Sequence, residues 1–160
     1  MPHRVRQFLQ AGRRPTAADR ELAEQWLSPV LLALFLTQHP RDVVHGAACA
    51  RWLLARGYDD RDLVSAALVH DVGKGWQRPG DRVVYVITAA ARLAPAIASG
   101  DSRFDLRRAV ARSLAHAASG AAALAAAGAT PRMVQLTRNH HSKADGDVML
   151  EALQQADAAT

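Results

Sequence analysis

The stretch Asp60-Arg-Asp-Leu-Val-Ser-Ala-Ala-Leu-Val-His70-Asp71-Val-Gly-Lys74-Gly75 sets the pattern that the rest of the chain repeats. An aspartate oxygen at position 60 suits the free N–H groups of a first helical turn. Apolar residues follow at helical spacing, and the helix is expected to run to about Val72, where Gly73-Lys74-Gly75 breaks it. His70 lies seven residues after Leu63 and three after Ala67, on the stripe that turns toward the core. Asp71 is its neighbour, so an imidazole and a carboxylate arrive together at the end of an apolar helix.

Outward from this stretch the pattern stays helical. Thr16 caps a helix through Leu27, and Ser28-Pro29 reads as N-cap and first position of an apolar helix to about Thr37. Pro40 starts another, which should stop at Gly57, where glycine accepts a left-handed backbone. After the Pro79-Gly80 turn a helix is expected from about Asp81 to Leu93. Within it, Val83 to Thr88 is β-branched, but it has helical flanks and no partner strand elsewhere. An alanine-rich helix from Asp105 to about Ala127 ends at Gly128, and Thr130-Pro131 opens the next, to about His141. Asp145 or Gly146 begins the last, to about Ala158. The expectation is an all-α chain of about seven to eight helices in one domain over residues 1–160, with N-terminal helices over 1–39 and a core over 40–158.

Composition narrows the functional classes. The 160 residues are 49% apolar and 22% charged, enough for one buried core and unlike a disordered chain. The longest apolar run, Val30 to Leu36, is too short to cross a bilayer, and Met1 to Arg14 leads into no secretory signal, so a cytoplasmic protein is expected. The net charge of +5, from eighteen arginines and two lysines against fifteen acidic residues, favours anionic partners. No aromatic stacking set or nucleic-acid motif accompanies it, which ranks nucleic acid last among them. The apolar region from Leu22 to Leu36 would suit either a covered core or a homo-oligomer contact. The one cysteine, Cys49, rules out an internal disulfide and a cysteine-cluster zinc site, so nitrogen and oxygen donors are expected at any metal.

Five of the seven histidines fall in helical pattern, each in line with core positions. His45 shares a stripe with Cys49 and Trp52, His116 sits between Ser113 and Gly120 on a row of small residues, and His140 continues the row of Met133 and Leu136. Asp157 follows Leu150 and Leu153, and an inward carboxylate needs a cation or hydrogen-bond donors. Taken singly, each histidine is a core or surface residue; taken together with Asp71 and His141, they supply more donors than one catalytic zinc uses. Histidine and carboxylate donors suit Fe or Mn, with Zn, Co or Ni as further choices, and two divalent ions fit the number.

The order His45, then His70-Asp71 within Ala67-Leu-Val-His-Asp-Val-Gly-Lys74, then Asp157 in Leu153-Gln-Gln-Ala-Asp157 resembles the HD-domain superfamily of metal-dependent phosphohydrolases. His116 with Gly120, followed by His140-His141, resembles its dinuclear subgroup, which includes HD-GYP and related cyclic-dinucleotide phosphodiesterases. The resemblance spans about Arg41 to Asp157 and implies an HD-domain helical bundle. It implies one metal on His45, His70, Asp71 and Asp157 and a second on Asp71, His116, His140 and His141, with Asp71 as bridge and a metal-bound hydroxide as nucleophile. Lys74 would contact a phosphate oxygen or protonate the leaving group. Arg112, one turn before His116, and Arg138, close to His140-His141, would reach a second phosphate.

The chain departs from the subgroup at Ser142, where HD-GYP proteins carry Glu, and it has no Gly-Tyr-Pro. Fifteen residues separate His141 from Asp157, which implies an open substrate site, and a last helical turn after Asp157 can fray. The expected function is hydrolysis of a phosphate-bearing small molecule, a nucleotide or cyclic dinucleotide. The alternatives are an HD-fold di-iron oxygenase, which needs an open position for O₂, and a nucleotide-binding regulatory module without turnover.

Overall fold

A computed structural model of the chain describes residues 14–75 and 105–160, with the backbone alone over 105–114. Among the described residues there are seven α-helices and no strand, the all-α class that the sequence implies. They are α1 (Ala17–Trp26), α2 (Pro29–Leu36), α3 (Pro40–Leu54), α4 (Arg61–Val69), α5 (Asp105–Ala126), α6 (Pro131–Asn139) and α7 (Val148–Ala159). A 3₁₀ turn, Val72–Lys74, follows α4. The helix expected over 81–93, with its Val83–Thr88 run, lies outside the described residues. No helix among the described residues is long and apolar enough to cross a membrane.

The helix starts follow their capping residues. Thr16 and Asp19 form a reciprocal capping box on α1, and Asp19 also pairs with Arg51 of α3 at 2.7 Å, which ties the first helix to the third. Ser28, Asp60 and Thr130 accept from the backbone N–H three residues on, with proline in the first turn after Ser28 and Thr130. The start of α7 differs from expectation. Asp145 and Gly146 have positive φ and form the turn, and the cap is Asp147, which accepts from Leu150 N–H and takes a two-pronged pair with Arg132 at 2.8 and 2.5 Å.

The centre of the bundle is α4. Every residue from Leu63 to Val69 is buried, and α1, α3, α6 and α7 pack around it. Two glycines let backbones touch there. A Cβ on Gly46 of α3 would collide with the Leu68 carbonyl of α4, and one on Gly73 would collide with the His116 carbonyl and Gly120 N–H of α5. His45 and His116 are therefore carried on helices pressed against the two sides of the His70-Asp71 segment.

Two helices stop earlier than their periodicity suggests. The fourth ends at Val69 with His70 as its C-cap, and the sixth ends at Asn139 with His140 as its C-cap. Three of the five histidines placed within helices thus stand at helix ends, and the reason is local. The Nδ1–H of His70 donates to Ala67 O at 2.9 Å, and that of His140 donates to Thr137 O at 2.6 Å, satisfying carbonyls that the helix leaves free. Beyond His70 the chain tightens into the 3₁₀ turn, closed by Lys74 N–H to Asp71 O at 2.9 Å.

Candidate metal centre

The helix ends, together with α3, α5 and α7, deliver two groups of donors. In the first, the ligating atoms of His45 and Cys49 on α3, His70 after α4 and Asp157 on α7 lie within 4.8 Å of one another. In the second, those of His116 on α5 with His140 and His141 after α6 do the same. Asp71 stands between them: one carboxylate oxygen is 3.7 Å from His70 Nε2, and the other is 3.6 Å from His116 Nε2. All seven residues that the sequence nominates as metal ligands are brought together.

The backbone fixes which nitrogen each histidine offers. Because Nδ1 of His70 and of His140 carries the proton given to its own helix, Nε2 is the atom aimed at the site. His70 is 1% exposed, and its Nε2 is buried with no hydrogen-bond partner, 3.7 Å from Asp157 as well as from Asp71. His116 Nε2 faces His140 Nε2 at 3.2 Å and His141 Nε2 at 3.1 Å. Three imidazole nitrogens converging at this distance without a carboxylate among them suit a shared cation. His141 is exposed, so the second group meets solvent on that side.

Charge is unevenly spread. Burial pushes Asp71 up, but Lys74, then His70, His45 and His116, outweigh it and hold the carboxylate well below its ordinary range. Burial likewise pushes Asp157 up, and its hydrogen bond to His45 together with the nearby His70 imidazole reverses the shift. Burial pushes His70 down, yet Asp71 and Asp157 carry it up to about 9. His140 goes the other way, to about 3, through burial and the charges of His70 and His141. The buried His70 proton and a metal ion would balance the same two carboxylates, so the first group has the charge that a divalent ion needs.

Outer contacts hold both groups in place. Thr160 Oγ1 donates to Ala156 O at 3.0 Å and lies 3.1 Å from Cys49 Sγ and 3.4 Å from His45 Nδ1, so the turn expected to fray is tied to α3. Gln154 Nε2 donates to His140 O at 3.2 Å and to Ser142 O at 2.6 Å, fastening the His140-His141 turn to α7. Of the residues expected to meet substrate, Lys74 pairs directly with Asp71, and Arg138 is exposed in the last turn of α6. The side chain of Arg112 lies outside the described residues.

Cys49 stands beside the nitrogen and oxygen donors that the sequence nominates. Its buried sulfur belongs to the first group, 3.7 Å from His45 Nε2. The four-residue step from His45 to Cys49 carried the signal, because residues one helical turn apart share a face. Compared with protein-family models, curated proteins and solved structures, the chain matches none.

Proposed function

We propose that the chain is a cytoplasmic metal-dependent phosphohydrolase of the HD-domain superfamily, acting on a nucleotide or another small phosphate ester through two divalent transition-metal ions. The observation that carries this reading is the stance of buried Asp71, with one oxygen toward each histidine group. His45, His70 and Asp157 would hold one ion and His116, His140 and His141 the other, with Asp71 shared. Two such ions, when bound, supply a water made acidic enough to attack phosphorus and positive charge for the phosphate oxygens.

The chain's own residues then have distinct tasks. The helix-capping bonds of His70 and His140 keep their Nε2 atoms directed inward without further rearrangement. Lys74, in contact with Asp71 and partly exposed, stands where a substrate phosphate oxygen would meet a positive charge. The exposed side at His141 gives an extended ester access from solvent.

The test is hydrolysis of a chromogenic phosphodiester and of cyclic dinucleotides by the manganese- or iron-loaded chain. Turnover should depend on metal, stop with a chelator, and fall by roughly 10³-fold or more in Asp71→Ala together with the bound metal. Turnover that survives Asp71→Ala would overturn the shared carboxylate. Oxygen consumption dependent on ferrous iron, with no hydrolysis, would overturn the reaction class.

A further inference from the structure

The first donor group contains an atom that the proposed ligand set leaves unused. Cys49 is fully buried, and its sulfur lies with the donor atoms of His45, His70 and Asp157 inside one 4.8 Å span. A metal–sulfur bond of about 2.3 Å and a metal–nitrogen bond of about 2.0–2.1 Å put two donors of one ion about 3.1 Å apart at a right angle and about 3.8 Å apart at 120°. Cys49 Sγ stands 3.7 Å from His45 Nε2, within that range. An independent feature points to the same spot: the buried His70 Nε2, with no hydrogen-bond partner, is aimed into this group.

We propose that Cys49 is a ligand of the first ion, which makes that position a site of two nitrogens, two carboxylates and a thiolate, while the second keeps imidazoles and the shared carboxylate only. The inference rests on reading the cluster as a metal centre. On binding, the sulfur–metal bond forms, the S–H bond breaks, and the proton leaves to solvent with no change in oxidation state. Thr160 Oγ1 lies 3.1 Å from the sulfur, and its hydrogen, given to Ala156 O in the metal-free chain, can turn to the thiolate once the thiol proton has left. A soft donor at one position alone gives the two positions different preferences: zinc, cobalt or ferrous iron at the first, with manganese accepted more readily at the second.

The experiment uses the full chain loaded with cobalt(II) or zinc. Cobalt should give a thiolate-to-metal charge-transfer band in the near ultraviolet, and X-ray absorption of the zinc form should show one sulfur at about 2.3 Å. Cys49→Ser should keep its helical circular dichroism, lose the band, and lose zinc-over-manganese selectivity by about tenfold or more. Should that variant fail to fold, the sulfur shell of the unaltered chain decides alone. Bound cobalt with d–d bands but no charge-transfer band and no sulfur shell would overturn the role of Cys49 and leave the metal centre standing. Failure to retain cobalt or zinc at all would overturn both.

Discussion

The two donor groups flank the same carboxylate yet are held ready in different ways. The first mixes two imidazoles with Asp157 and Cys49, and its His70 is pushed up to about 9, so a proton occupies it at neutral pH. The second is three imidazoles, and its His140 is pushed down to about 3, with His141 also lowered. A metal entering the first group must displace the His70 proton, whereas His140 in the second is already a neutral imidazole. Burial and like-charged neighbours hold His140 neutral, and carboxylates hold the proton on His70.

Single-ligand changes should separate the halves most sharply. Under the two-metal reading, His116→Ala is expected to leave about one metal per chain, held by the first group, and His45→Ala about one, held by the second, with hydrolysis down roughly 100-fold or more in each. Elemental analysis beside initial rates checks this. Loss of both metals in either variant would mean that the halves do not fill independently.

Backbone contacts give the next effect. In Gly73→Ala the new methyl meets the His116 carbonyl and Gly120 N–H, so α5 must move away from Asp71 at a cost of about 3 kcal/mol. In Gly46→Ala the methyl meets the Leu68 carbonyl, and α3 must move instead. Urea midpoints should fall in both, with weakened metal binding confined to the second group for Gly73→Ala and to the first for Gly46→Ala.

The dependence on pH sharpens the contrast further. Affinity at the first group, isolated in the His116→Ala chain, should rise about tenfold per pH unit for the His70 proton until it is lost near 9, and about tenfold more per unit where the buried Cys49 thiol, pushed up to about 11, also gives up its proton to bind, while the second group, isolated by His45→Ala, should change far less. Without metal the sign for stability reverses. His70 is raised from its ordinary 6.5, so its contribution is complete below that value and is lost as pH rises through about 9. Thermal melts of metal-free protein should shift down across this window. The smallest effect is expected from Gln154→Ala, which releases His140 O and Ser142 O. It should cost about 1 kcal/mol in stability and weaken the second metal about tenfold, leaving the first unchanged.

Much of this architecture is legible in the chain. Thr16, Ser28-Pro29, Asp60 and Thr130-Pro131 mark helix starts by chemistry that acts within one turn, and the structure keeps each of them. The convergence of His45, His70, His116, His140 and Asp157 follows from their alignment with core positions, and Asp71 and His141 join them as chain neighbours of His70 and His140. The helix ends at His70 and His140 are harder to read, because a C-cap residue keeps helical torsions and so continues the apolar stripe. What ends each helix is an imidazole bonding its own last turn, which periodicity does not encode. Cys49 is half legible: its step of four from His45 puts the two on one helix face, but that the face meets His70 and Asp157, the latter more than a hundred residues away, comes only with the fold.

The central claim is that Asp71 joins two metal positions in one chain. It is tested most directly by metal stoichiometry at equilibrium, with protein expressed with iron and manganese, purified without chelator and measured by elemental analysis. The account predicts close to two metals per chain, and one or fewer in Asp71→Ala. One metal in the unaltered chain, or two retained without Asp71, would contradict it.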